Sequence, residues 1–211
     1  TDAAWGGNRA RPDLVKKFFP NGNVPNLESY ATAEAAGDDR ALFCGVNRTL
    51  DNEDVSTFKS GFGVAKFTNF KTDGSAGHDA TFPDADFFLM RAAEAYLNFA
   101  EADARINGGQ TTDEGTAAIN AIRKRANAST REDKGYSLSD ICDEWSREFY
   151  FEGRRRMDLI RFNRFGGNVN YNWQWKGGTK EGRNFSKDLN IFAIPTNELT
   201  SNKNLIQNPG Y

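Results

Sequence analysis

Apolar residues recur at three- and four-residue steps through much of the chain beyond Asp86. In "DFFLMRAAEAYLNFAEADARING", Met90, Ala93, Leu97, Ala100 and Ala104 share one face of a helix, and the following "NGG" offers an Asn/Gly C-terminal cap. The next stretch, "TTDEGTAAINAIRKRANA", opens on Thr and Asp and carries Ala118, Ile122 and Arg125, with Ile119 and Ala126 as alternates, at helical spacing. A third run begins at Ser137 or Ser139 as N-cap, with Asp140 suited to the positive end of the helix dipole. Leu138, Ile141, Trp145 and Phe149 form its apolar stripe. Gly153 predicts a kink or break, after which Arg154 to Phe165 resume helical spacing.

The first 85 residues follow no such period. Gly, Asn, Asp and Pro punctuate short runs such as "LVKKFFP", "RALFCGV" and "GFGVAKFTNF", predicting loops, a short helix near 11–19 and a few short strands. Beyond 166 the chain returns to loop, with a strand-like "LNIFAIP" and a turn-rich end. The expected fold is mainly α, divided into a loop-rich segment over 1–85 and a helical region over 86–211. The consecutive helices after Asp86, with alanines on facing sides, resemble one tetratricopeptide unit, in which small residues permit close helix approach.

Charge and composition narrow the chemistry. With 27 basic against 29 acidic residues, the net charge of −2 provides no field to concentrate nucleic acid or anionic lipid. No run approaches the roughly 18 apolar residues of a membrane span. The opening "TDAAWGGNRARPD" lacks the order of a signal peptide and reads as a chain cut inside a longer protein. Cys44 and Cys142, far apart and outside any C-x-x-C pattern, support neither a disulfide framework nor a thiolate metal site. His78 is the single histidine and lies in a Gly/Asp turn, which removes the support for Ser-His-Asp or multi-histidine sites.

Three features remain as candidate chemistry. Glu144 and Glu148, four apart on a helix, could act as the carboxylate pair of a glycoside hydrolase. Arginines at helical spacing favour ion pairs instead, Glu144 with Arg147 and Glu152 with Arg155 and Arg156, with Glu148 and Glu152 as a like-charge strain. The basic cluster from Arg154 to Arg164 is interleaved with apolar residues and Asp158, so a structural network is the better reading than a phosphate track. "GGTKEG" and "GFGVAKF" miss the phosphate-loop spacing, and no cofactor is expected, although the acidic loops "DNED" at 51–54 or "DADFF" at 84–88 could hold calcium. Finally, Trp5, Tyr171, Trp173 and Trp175 stand in Gly/Asn-rich segments beside amide and cationic side chains, the composition that sugar faces and hydroxyls require. For Trp173 and Trp175, a loop pinned by its ring is the preferred reading.

The ordered blocks "DADFFLMRAAEAYLNFAEA", "AAINAIRKRANA", "DEWSREFYFEGRRRMDLIRFNRF", "NWQWKGG" and "NIFAIPTNELTSNKNLIQNPGY" resemble the C-terminal part of the SusD/RagB family. The segment from "WGGNRARPDLVKKFF" to "SGFGVAKFTNF" is similar to the preceding region of its starch-type branch. Arg147, Glu148, Glu152, Gly153, Arg155, Asp158, Leu159, Arg161 and Phe162 match the family's E-G-x-R-x-x-D-L-x-R-F box and the helix before it, whereas Ala193 and Lys203 stand where the closing motif has prolines. The resemblance implies tetratricopeptide-like helix pairs supporting an irregular ligand-binding region. It implies a non-catalytic glycan-binding subunit, lipid-anchored on the outward face of the outer membrane through an N-terminal segment beyond this chain, that caps a SusC-type TonB-dependent transporter. The glycan contacts are then expected at Trp5 as stacking platform with Asn8 and Arg9 as donors, and Arg147, Glu148, Glu152, Arg155, Asp158 and Arg161 as a structural ion-pair network. Two alternatives stand beside this reading: a helix-pair module that docks a partner such as the transporter, and a glycoside hydrolase using Glu144 and Glu148.

Overall fold

The computed structural model describes residues 8–211. The chain divides into two compact units, residues 1–153 and 154–211. The first contains the helices α1 (Pro12–Lys16), α2 (Ser29–Ala36), α3 (Ala92–Ile106), α4 (Asp113–Arg125) and α5 (Leu138–Phe149), with the two-residue strands β1 (Phe43–Cys44) and β2 (Gly63–Val64). The strands pair antiparallel, Phe43 opposite Val64 and Cys44 opposite Gly63. The second unit holds α6 (Arg155–Arg161), α7 (Thr196–Ser201) and short 3₁₀ turns at Lys176–Gly178 and Lys187–Asn190.

α3, α4 and α5 form the helical body and bury most of the predicted stripes, although Leu138 is half-buried and Met90 and Arg125 are exposed. Leu97, Ala100 and Ala104 of α3, Ile119 and Ile122 of α4, and Ile141 and Trp145 of α5 are all buried. α4 packs back along α3, and α5 also packs on α3. The turn between α3 and α4 is held by Asp103, whose Oδ2 accepts from the Thr112 amide at 2.7 Å and Oδ1 from the Thr112 hydroxyl at 2.9 Å. A side chain at Gly115 would collide with that carboxylate, so the tight approach requires glycine there. Of the two serines available to α5, Ser137 is the cap. Its Oγ accepts from the Asp140 amide at 3.2 Å while the Asp140 carboxylate accepts from the Ser137 amide at 2.9 Å, a capping box that contributes about 1 kcal/mol.

Four local expectations are corrected. α3 starts at Ala92, and Phe87 to Met90 are non-helical and exposed, because Arg91 takes an extended conformation (φ −136°, ψ 150°) to send its guanidinium to acids at the end of α5. α2 forms in a region expected to be loop. Its alanine-rich sequence has almost no apolar stripe, and what buries it is Thr32, whose hydroxyl donates to the Phe43 carbonyl at 2.7 Å. "LNIFAIP" is not a strand: its partner is a side chain, with the Ile194 amide donating to Gln207 Oε1 at 2.8 Å and Gln207 Nε2 donating to the Ile194 carbonyl at 3.0 Å. One turn further on, residues 196–201 are helical rather than irregular.

A second cluster, Val15, Phe18, Ala41, Phe43, Phe62 and Tyr150, packs the loop-rich part of the first unit. Phe43 and Tyr150 lie 5.3 Å apart between ring centres, and the Tyr150 hydroxyl donates to the Arg40 carbonyl at 2.6 Å. Tyr150 thereby ties the end of α5 to the loops, which positions the region around residue 8.

Candidate functional site

Asn8 and Arg9 lie on the segment that enters this loop-rich cluster; Trp5 is outside the described residues. Asn8 is exposed. Arg9 Nη2 donates to the Val55 carbonyl at 3.1 Å and Nη1 donates to the Thr57 carbonyl, so its guanidinium is engaged with the loop over 49–61. Ala10 continues the attachment, its amide donating to the Phe62 carbonyl at 2.9 Å. The loop is closed at its base by Thr49 N–H to Lys59 O at 2.9 Å and Gly61 N–H to Thr49 O at 3.1 Å. At its tip the Asp54 carboxylate accepts from the Ser56 hydroxyl and amide and the Thr57 hydroxyl, which hold its pKa below the usual range.

The acids at the end of α5 are buried among cations. Glu144 has no solvent exposure; its Oε1 accepts from Arg40 at 2.8 Å and its Oε2 from Arg123 and Arg147, each at 2.7 Å. Glu148 Oε1 accepts from Arg91 at 2.7 Å, and its Oε2 from Arg125 at 2.6 Å and Arg40 at 3.1 Å. Arg40 is itself fixed by Asp38, with contacts of 2.8 and 2.7 Å. Glu152 is held by Arg91 at 2.8 Å and by Lys66. Helical spacing pairs Glu152 with Arg155 and Arg156, and the structure does not follow it. α5 has already ended at Phe149, with Tyr150 extended and both Phe151 (φ +60°) and Gly153 (φ +76°) in the left-handed region, so helical spacing does not apply to Glu152 and residues distant in sequence take up its charge. Arg91 bridges Glu148 and Glu152, relieving the like-charge contact.

In the second unit Asp158, 1% exposed, accepts from Arg154 at 3.3 Å and Arg161 at 3.0 Å, and Arg155 donates to the Tyr171 hydroxyl at 2.9 Å. Trp173 sits among Phe165, Tyr171 and Phe185, with ring centres 6.1–6.3 Å away. The buried Lys176 ammonium lies 4.9 Å from the centre of that indole and donates to the Tyr171 carbonyl at 3.1 Å. Trp173 therefore anchors its loop.

These environments decide what the carboxylates can do. Burial alone would raise the Glu144 pKa, but Arg147, Arg40 and Arg123 overcome it and hold the value at about 2; Glu148 is lowered too, with Arg91 the leading opponent of its burial. A glycosidase needs one carboxyl that stays protonated near neutral pH and another open to sugar or water. Both oxygens of Glu144 and of Glu148 already accept from guanidinium groups. Because the folded values are depressed, the stability they contribute is present above the ordinary carboxylate pKa and is lost as pH falls through the folded values. Thermal stability should hold level from neutral pH down to about 5 and drop steeply between about 4.5 and 2. Melting curves across that range test this, and a flat profile to pH 2.5 would contradict the network's role.

No three His, Cys, Asp or Glu side chains converge as a metal site among the described residues. His78 pairs with Asp84 in an exposed turn, Cys44 is half-buried and Cys142 is buried. A cavity of about 610 Å³ lies beside α1 and α5, lined by Lys17, Arg123, Arg131, Tyr136, Asp140 and Arg147. Its charges are largely paired with one another: Arg131 binds Asp140 through two contacts of 2.8 and 2.9 Å and stacks 4.4 Å from the centre of the Tyr136 ring.

The arrangement has counterparts in known proteins. The SusD family model matches residues 14–211. The chain belongs to the SusD family. Aligned over 242 residues, it is 44% identical to the starch-binding protein SusD of Bacteroides thetaiotaomicron, taking in all of this chain and 43% of that protein. It thus spans less than half the length of this curated relative. Among solved structures it is similar to a SusD-like protein of Bacteroides fragilis, with a TM-score of 0.61 at 20% identity over 99% of this chain and 48% of that one. Surface glycan-binding protein A from Bacteroides uniformis gives 0.56 at 21% identity, over 96% of this chain and 53% of that one. A laminarin-binding SusD-like protein gives 0.54 at 23%, over 97% and 38%. These likenesses show the fold, a mainly helical SusD-like architecture.

The cations Arg40, Lys66, Arg91, Arg123 and Arg125 are the residues that local spacing missed. They lie between 21 and 108 positions from the acids they serve, and no periodic signal reports such partners.

Proposed function

We propose that this chain is part of a non-catalytic glycan-binding subunit of an outer-membrane uptake complex. Its 44% identity to a starch-binding protein, sustained along the whole chain, carries the reading. The arginine-saturated Glu144 and Glu148 favour it over hydrolysis. On this reading Trp5 offers its ring to the sugar face and Asn8 hydrogen-bonds to hydroxyls, beside the loop that Arg9 fastens. The subunit sits on the outward face of the outer membrane, lipid-anchored in the full-length protein, and delivers glycan to a SusC-type TonB-dependent transporter.

Affinity electrophoresis through gels containing starch, a β-glucan, a fructan or a mannan tests the proposal. The expected result is retardation by one polymer, starch first, with loss in Trp5→Ala and no release of reducing sugar. Polymer turnover, or equal mobility in all gels, would overturn it.

A further inference from the structure

The contacts of Arg9 point beyond the segment that carries it. Arg9 follows Asn8 directly, and the Thr57 carbonyl that it binds belongs to the residue before Phe58. The asparagine amide and the Phe58 ring are therefore each one residue removed from a single hydrogen-bonded clamp. Phe58 is 36% exposed although its position is closely fixed. The Arg48 guanidinium lies 4.0 Å from the centre of its ring and also donates to the Phe58 carbonyl. Its loop is closed by the Thr49–Lys59 and Gly61–Thr49 backbone bonds and braced at the tip by Asp54.

We propose that the loop over 49–61 is a second wall of the glycan site, with the Phe58 ring as a stacking surface and Arg9 as the residue that positions it. The inference rests on the glycan-binding reading above. A sugar face stacks on a flat ring, and the less freedom that ring has before binding, the smaller the entropy lost on contact. Arg48 and the closed loop provide this restraint. Asn8 next to Arg9 in the chain, and Lys59 next to Phe58, are exposed polar side chains available for hydroxyls. A wall made this way reads the flat face of a pyranose and its rim, and makes no demand for charge on the ligand, which suits a neutral polysaccharide. Arg9 acts through the loop: its planar fork reaches two carbonyls, those of Val55 and Thr57, at once.

Affinity electrophoresis of the whole chain against soluble starch, β-glucan, fructan and mannan, with relative Kd values from mobility at several polymer concentrations, tests the proposal. Phe58→Ala should raise Kd about tenfold with its melting curve unchanged, and Phe58→Tyr, which keeps the ring, should bind like wild type. Arg9→Lys should weaken binding to a similar extent. The double variant Arg9→Lys/Phe58→Ala should bind no worse than Phe58→Ala, because both changes remove one surface. Wild-type retardation with undiminished binding by Phe58→Ala overturns this inference and leaves the glycan-binding reading intact. So do losses that multiply in the double variant, since they mean that Arg9 contacts the ligand itself. Absence of wild-type retardation by all four polymers overturns both.

Discussion

Glu144→Ala should destabilise the first unit by about 3–5 kcal/mol, the usual cost of removing one partner from a buried ion pair. The substitution leaves Arg147, whose side chain is 15% exposed, with the Lys17 carbonyl at 3.2 Å as its hydrogen-bond acceptor. Arg123 keeps Ser129, and Arg40 keeps Asp38 and Glu148. The harm therefore comes from stranding Arg147 and from collecting positive charge where a carboxylate had balanced it. Glu144→Gln, which retains shape and an acceptor oxygen but no charge, should lose roughly half as much, given that hydrogen bonds to charged groups are about twice as strong as neutral ones. Glu148→Ala should fall in the same range, since it removes the acceptor shared by Arg91, Arg125 and Arg40. Urea denaturation gives the magnitude through the midpoint at constant m. Polysaccharide retardation at a temperature where the variants remain folded should equal wild type; a selective loss of binding at full stability would reassign these acids to the site.

The network also shows where the sequence was informative. Glu144 and Arg147 sit three apart within one helix, so local spacing finds their pair, which the structure closes at 2.7 Å. Past Phe149 the same rule fails, because Tyr150 turns extended and Phe151 and Gly153 take positive φ, which ends the helix that gave spacing its meaning. The helices α3, α4 and α5 were legible since their buried faces are apolar at regular steps, and small residues on α3 and α4 signalled a close pair. α2 was hidden because its burial depends on a threonine hydroxyl reaching a backbone carbonyl, which no apolar pattern records. For the candidate glycan region, composition pointed to Trp5 and the family resemblance added Asn8 and Arg9, but the loop that Arg9 binds begins 40 residues later, at Thr49, and only the folded backbone brings the two together.

The ion-pair network does structural work at one junction. Charges that look catalytic in one dimension are used to fasten the end of α5 to the loops through Arg40, Lys66 and Arg91, and Tyr150 adds its hydroxyl to the same junction. The loop-rich part has few regular hydrogen bonds of its own, its strands being two residues long. Its rigidity must then come from side-chain bonds to backbone carbonyls, of which Arg9, Arg48 and Thr32 supply examples. A binding surface built on such a scaffold inherits its order from the helical body.

That dependence makes Trp145 the other position of large effect. The indole is fully buried on α5, and its Nε1 donates to Glu101 Oε2 on α3 at 2.9 Å, while Arg105 holds Oε1 of the same carboxylate at 2.8 Å. Phe149 packs beside it with ring centres 5.3 Å apart, and Arg91 lies 4.2 Å from the centre of the Phe149 ring. Trp145→Ala should cost about 3–5 kcal/mol through the lost ring and the cavity it leaves. Trp145→Phe separates the two contributions: it refills most of the volume and removes only the donor to a buried carboxylate, for about 1–3 kcal/mol. If the helical body orders the loops, Trp145→Ala should also increase amide hydrogen exchange around Tyr150 and over residues 49–61 before global unfolding. Faster exchange confined to α3 and α5 would mean instead that the loop-rich part holds its shape independently, with Arg9 and Arg48 sufficient to fix it.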